Sequence, residues 1–170
     1  MRQVAPAVAA GVVAELLLRQ AALAEADALT SLALRSKAVW GYDEAFMAAC
    51  RDELLVSADD IQSAGTRLTV ADRAGQLAGY CWVEPVSPTV WELEALFVEP
   101  DLMGQGIGEK LFRQAVREAA SNGANTLTIQ SDPQAARFYE KSGCVKVGEK
   151  PSGSIPGRVL PLYHLSLSST

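Results

Sequence analysis

A single histidine, His164, and three widely spaced cysteines, Cys50, Cys81 and Cys144, leave this 170-residue chain short of common catalytic side chains. No Cys-x-x-Cys pair occurs. On that composition the chain has no Cys/His zinc site, no Ser-His-Asp triad and no Cys-His dyad. Positive charge is scarce as well, with 15 Lys plus Arg against 20 Asp plus Glu and a formal net charge of −5. A nucleic-acid sleeve or a polybasic membrane anchor needs clustered cations, so neither partner is expected. A small anion stays admissible, because a local array of backbone N–H groups can hold one. No run of 18 apolar residues exists, which excludes a transmembrane helix. Internal repeats and interdomain linkers are also missing.

What is present fits one domain. A chain of this length buries roughly 70% of its unfolded surface and needs no disulfide or metal to do so. The content of 49% hydrophobic and 21% charged residues excludes a disordered chain. Odd-numbered, scattered cysteines read as reduced buried thiols, which points to the cytoplasm. The apolar stretch Val4 to Ala14 is interrupted by Pro6 and followed by Glu15 and Arg19. It reads as a loosely ordered leader over residues 1–13 ahead of one domain at 14–170, not as a signal peptide.

The pattern then predicts an α+β order around a mixed sheet. Glu15 to Gln20 reads as a strand, Glu25 to Lys37 as a helix, and Asp43 as the N-cap of a second helix reaching about Leu55. Thr66 to Ala71, Gln76 to Glu84 and Val90 to Val98 form a meander, with a hairpin turn at Asp72 to Gly75. A helix after Gly108 carries Leu111, Phe112, Ala115, Val116 and Ala119 on one face and is closed by Asn122-Gly123. Thr126 to Ile129 is a strand. Ser131 or Asp132 caps a further helix that ends at Gly143. Cys144 to Val147 and Leu162 to Leu167 finish as strands joined by the polar stretch Glu149 to Pro161.

Chemistry concentrates at one turn. Leu96-Phe97-Val98-Glu99-Pro100 runs into Met103-Gly104-Gln105-Gly106-Ile107-Gly108 and an amphipathic helix. A helix start leaves N–H groups unpaired and carries about half a positive charge, and alternate glycines let a phosphate reach those amides. A P-loop would need Gly-Lys-Ser/Thr, whereas Gly108 is followed by Glu109-Lys110-Leu111. A dinucleotide fingerprint would need a glycine where Glu109 stands, and a βαβ unit in place of a meander.

These residues resemble the acetyl-CoA site of the GNAT N-acetyltransferases. Asp132-Pro-Gln-Ala135-Ala-Arg-Phe138-Tyr139 followed by Gly143 is similar to that family's second signature, and the element order from Glu15 to Leu167 matches as well. The resemblance implies a largely antiparallel sheet, flanked by about four helices, that splays between the Val90–Val98 and Thr126–Ile129 strands. The arm of acetyl-CoA would then lie along Leu96, Phe97 and Val98, with its pyrophosphate on the amides of Met103, Gly104, Gln105, Gly106, Ile107 and Gly108. Asp132 and Tyr139 would border the coenzyme. Met103 stands where the family places Gln or Arg, and Cys144 where it places Phe or Tyr.

The implied reaction is acetyl transfer to a primary amine of a small molecule or a peptide by direct attack. The amine, with a pKa of about 10, must lose a proton, and the leaving thiolate benefits from an acid. The resemblance gives the acid to Tyr139. Glu92 and Glu94 share a strand face by the two-residue period, and either one, or ordered water, serves as base. Trp40 and Tyr42 either frame the acceptor or pin the second helix. Trp82 and Trp91 read as core aromatics, Arg35 and Lys37 as solvated charges, and Arg158 as a weak candidate to face the acceptor. A homodimer is compatible with the resemblance. A binding module that has lost turnover is the alternative, supported by Met103 alone. A toxin acetylating charged tRNA is disfavoured by the net charge and by the lack of a basic stripe.

Overall fold

The computed structural model describes residues 14–168. The expected leader over residues 1–13, and the last two residues of the expected domain, lie outside the described residues. Seven strands form one sheet: β1 (Leu16–Gln20), β2 (Arg67–Arg73), β3 (Gln76–Pro85), β4 (Val90–Val98), β5 (Thr126–Gln130), β6 (Val145–Pro151) and β7 (Val159–Ser166). Their spatial order is β1-β2-β3-β4-β5-β7-β6, and only β4 and β5 run parallel. Among the described residues five helices flank the sheet: α1 (Ala26–Ala38), α2 (Glu44–Cys50), α3 (Ala58–Gln62), α4 (Ile107–Ser121) and α5 (Ala136–Lys141). The architecture is α+β, as the pattern predicts.

Each sheet face has its own core. Alternating residues Cys81, Val83, Trp91 and Leu93 point at α4 and meet its stripe of Leu111, Phe112, Ala115 and Ala119. Val70, Tyr80 and Leu68 point the other way and meet Leu29, Leu32 and Ala33 of α1. Gly79 on β3 is what allows α4 and β4 to approach so closely. A Cβ there would stand 2.7 Å from the Phe97 carbonyl oxygen and 3.0 Å from Leu111 Cδ1.

Several boundaries differ from the pattern. The first hairpin turn is only Ala74-Gly75, with φ of 53° and 82°, because the ladder continues to Arg73 and Gln76. Asp72 accepts from the Gly75 amide at 2.7 Å and steadies this tight turn. Helix α2 does begin at the Asp43 cap, where the Phe46 amide donates to Asp43 Oδ1 at 2.8 Å, but it stops at Cys50 instead of Leu55. A 3₁₀ turn over Asp52–Leu54 follows, which buries Leu54 and leaves Leu55 exposed. Helix α3 has no counterpart in the predicted order. Its readable signal is Ser57-x-x-Asp60, a reciprocal capping box with bonds of 3.1 and 2.8 Å. The last two strands extend beyond the predicted limits to Pro151 and Val159, so the connecting loop is only 152–158. Pro161 lies past the final β5 partner pair, Gln130 with Leu162, and breaks no bond of that ladder.

Among the described residues no helix is long and apolar enough to cross a membrane. Substituting Gly79→Ala forces a methyl group into the β4 carbonyl, so unfolding free energy is expected to fall by about 2 kcal/mol. Urea denaturation at neutral pH measures that loss, and an unchanged midpoint would show that the sheet relaxes around the methyl.

Candidate functional site

The sheet opens where β4 and β5 stop pairing. Val90, Trp91 and Glu92 pair with Thr126, Leu127 and Thr128, and no pair follows. From Leu93 to Val98 the β5-facing edge of β4 has no backbone partner among the described residues. A bulge adds to the divergence: Trp82 faces Ala95 while Val83 faces Leu93, which leaves Glu94 as the extra residue. The gap is a cavity of about 870 Å³ lined by Leu96, Phe97 and Val98 on one wall and by Ile129, Ser131 and Tyr139 on the other.

One end of this cavity is the glycine turn. Gly104 and Gly106 have φ of 80° and 82°, and a Cβ on either would meet nothing within 4 Å, so their outer faces are open. Among the described residues the amides of Gly104, Gln105, Gly106, Ile107 and Gly108 donate to no protein acceptor. The first ladder bond of α4 there runs from the Lys110 amide to the Gly106 carbonyl at 3.2 Å. Five unpartnered donors thus lie at the positive end of a 15-residue helix, and four of their residues, Gly104, Gly106, Ile107 and Gly108, line the cavity. The Met103 amide is not among them, because it donates to the Pro100 carbonyl at 3.3 Å; only the Met103 side chain borders the cavity. Gln105 does not line the cavity, and its side chain accepts instead from Arg73 Nη1 at 3.1 Å. Arg73 is a residue that local sequence reasoning misses, since it reaches the turn from the β2–β3 hairpin, 32 positions away. Its Nε is buried with no partner among the described residues.

The middle of the cavity carries the titratable groups. Glu92 and Glu94 both line it. Glu92 also stands directly across from Glu84 on β3, a like-charge pair that sheets avoid unless another demand maintains it. Glu94 reaches solvent, yet it sits on the floor of a concave site. Protein crowding, followed by hydrogen bonding to Glu92 and by the negative charges of Glu92 and Glu84, pushes its carboxyl up to about 8. Tyr139 is buried among Phe112, Phe138 and Tyr163, with ring centroids at 5.8, 5.2 and 6.3 Å. Its hydroxyl makes no hydrogen bond among the described residues and borders the cavity. Burial raises its pKa above the ordinary tyrosine value, so it retains its proton.

The far end is closed by an ion cluster. Asp132 caps the turn before α5 by accepting from the Gln134 amide at 2.9 Å. It also accepts from the Tyr42 hydroxyl at 2.9 Å and from Lys37 Nζ at 3.2 Å, and lies 3.5 Å from Arg158 Nη2. Arg158 donates a further bond of 2.8 Å to the Tyr42 hydroxyl. The Tyr42 and Phe46 rings stack at 4.0 Å, with both cations against them. Tyr42 is therefore a pin between the α1–α2 connection and β5, and it does not line the cavity. Lys37 is a mostly buried ion-pair partner and not a solvated charge, whereas Arg35 is exposed and forms a two-bond pair with Glu99 at 2.9 and 2.7 Å. Trp40 does line the cavity, and its carbonyl accepts from Gln134 Nε2 at 3.3 Å. Trp91 is in the core, while Trp82 is half-buried and donates to Glu84 at 3.0 Å. The Asp132 carboxyl is held below its ordinary value of 3.8: burial opposes ionisation, but the Gln134 amide, the Tyr42 hydroxyl and Lys37 outweigh it.

A parted sheet with a glycine-lined helix start at the mouth of the gap defines a class of acyltransferase domain. Residues 26–153 match the family described as acetyltransferase (GNAT) domain, and the chain belongs to that family. The peptidyl-lysine N-acetyltransferase YjaB of Salmonella typhimurium is 36% identical over 73 residues, 43% of this chain and 48% of that protein. The chain spans half or less of the length of the curated relatives it matches. In fold, the chain is similar to the PaiA N-acetyltransferase of Thermoplasma acidophilum, solved in complex with coenzyme A. That match has a TM-score of 0.71 and 15% identity, and covers 89% of this chain and 99% of that one. A GCN5-related N-acetyltransferase from Rhodopseudomonas palustris matches at a TM-score of 0.72 and 23% identity, over 92% of this chain and 99% of that one.

Replacing Asp132→Ala strands two cations and a tyrosine hydroxyl at the cavity's edge. A loss of about 2 kcal/mol in unfolding free energy at neutral pH is expected, read from urea melts. In the unsubstituted chain the same stabilisation is present above the ordinary carboxylate value of 3.8. It disappears as pH falls through the lowered folded-state value, because the unfolded chain then binds the proton more readily.

Proposed function

We propose that the chain is an acetyl-CoA-dependent N-acetyltransferase that acetylates a primary amine by direct attack. The observation that carries this reading is the junction of the unpaired β4 edge with five unpartnered amides at the start of α4. The residues fit the coenzyme: the amides of Gly104 to Gly108 suit a pyrophosphate, and the bare strand edge suits an amide-bearing arm. Arg73, next to Gln105, adds the positive charge that Met103 lacks. When bound, acetyl-CoA supplies an activated acyl group and a thiolate leaving group.

The chain's own residues divide the proton work. Glu94, with its carboxyl near neutrality, accepts the proton that an incoming ammonium must lose. Glu92 keeps that carboxyl basic through its neighbouring charge. Tyr139 holds a proton at a hydroxyl that faces the cavity, and it delivers that proton to the departing sulfur. Direct attack is supported by the cysteines, none of which is placed to carry the acyl group. Cys50, Cys81 and Cys144 are all buried, none lines the cavity, and burial pushes the Cys81 and Cys144 thiols up to about 12 and about 11.

Thiol release from acetyl-CoA over a panel of primary amines tests the assignment, and no release with any amine would overturn it. Tyr139→Phe is expected to lower kcat about 100-fold with KM for acetyl-CoA little changed. The kcat/KM profile should rise with pH up to about 8, as Glu94 deprotonates, and then flatten. Glu94→Gln should lose that inflection; an identical profile in the variant would assign the base to another group.

A further inference from the structure

A second cavity of about 310 Å³ opens from the first on the α1–α2 side of the sheet. The two share Glu53, Leu54, Glu94, Ala95 and Phe97, so they are contiguous at the acid that the proposed reaction uses as base. The second cavity lies between the 3₁₀ turn over Asp52–Leu54 and the bulged strands β3 and β4. Its wall contains four carboxylates, from Asp52, Glu53, Asp60 and Glu94, and not one lysine or arginine. Two of these acids have partners: Asp60 accepts from Ser57 at 2.8 Å, and Glu53 accepts from the Ser154 hydroxyl at 2.9 Å. Asp52 has none among the described residues.

An independent feature points to a ligand in the same place. Tyr80 is 1% exposed and lines this cavity, yet its hydroxyl makes no hydrogen bond among the described residues. An unpartnered hydroxyl that borders a cavity is a vacant hydrogen-bonding position. Trp82 and Phe97 border the same space. Carboxylates and an unpartnered hydroxyl beside aromatic residues, with no competing cation, are the complement of an alkylammonium group. An anion or a neutral sugar would leave this charge unmatched.

We propose that the second cavity seats a second ammonium of the acceptor, which is a short di- or oligoamine with an apolar spacer. This inference rests on the acetyltransferase reading above. One amine stands at Glu94 for acetylation, and the spacer follows Leu54, Ala95 and Phe97. The other ammonium donates to Asp52, Glu53 and the Tyr80 hydroxyl. A lone amine fills the first position only. The cavity admits a flexible chain end and is too small for a folded partner.

Calorimetric titration of the full chain, with and without coenzyme A, by 1,6-diaminohexane, hexylamine and Nα-acetyl-lysine amide at fixed salt provides the test. The diamine is expected to bind at least about tenfold more tightly than either monoamine. That preference should shrink to about twofold in Asp52→Asn and in Tyr80→Phe, two near-isosteric changes whose folding is checked by melting temperature. Equal binding of diamine and monoamines, or an undiminished preference in both variants, overturns the second seat. Thiol release measured with the same three amines separates the two readings. Equal turnover of all three leaves the acetyltransferase standing and removes the seat; selective diamine binding without turnover does the reverse.

Discussion

Three residue pairs of parallel ladder join β4 to β5, and the rest of the molecule is organised around the fact that there are only three. A parallel pair with buried faces ordinarily runs on, because each added pair satisfies backbone donors and acceptors that would otherwise be bare. Here the bulge at Glu94 turns β4 away, and the chain leaves the strand edge open to a cavity. Backbone groups that would have bonded a neighbouring strand become the wall of a binding site. The glycine turn lies just beyond the end of that open strand, so the bare edge and the bare helix start face the same space.

An open wedge needs something to keep it from collapsing or fraying, and Asp132 supplies it. One carboxylate ties the end of β5 to the α1–α2 connection through Tyr42 and Lys37, and to the β6–β7 loop through Arg158. These attachments come from parts of the chain separated by 90, 95 and 26 positions. The cluster is partly shielded from water and carries two cations against one anion. The stacked rings of Tyr42 and Phe46 take up the surplus charge through their faces. Opposite this staple, the acids Glu84, Glu92 and Glu94 are crowded on one sheet face with no cation among them. That arrangement raises one carboxyl toward neutrality and, continued into Asp52, Glu53 and Asp60, makes the acceptor side of the molecule a cation-seeking surface.

Much of this was readable along the chain. The Gly104 to Gly108 turn, the amphipathic stripe of α4 and the Asp43 and Asp132 caps are local patterns. Local hydrogen bonding and periodicity decide them wherever the segment is placed. The meander boundaries fell within two residues for the same reason. Helix α2 was overestimated because its apolar stripe continues through Leu54, and a 3₁₀ turn can present that leucine to the core as well as an α-helix can. Lys37 was misjudged for a different reason: a charged side chain looks solvated until its partner is known, and Asp132 lies 95 positions away. For Tyr42 the pattern left two roles open, and the partner that makes it a pin is Asp132, 90 positions away.

By itself, then, the amino-acid order determined most of the element types, the family and most of the peptide amides that a phosphate could meet, since each depends on residues within a few positions of one another. The tertiary structure alone decided how far β4 and β5 pair, which acid the bulge brings to the cavity floor, and where Arg73 and Arg158 come to rest. It also decided that Tyr80 faces an acidic pocket with its hydroxyl unpaired. These outcomes depend on register and on packing between distant segments, where a shift of one residue reverses the face on which a side chain appears.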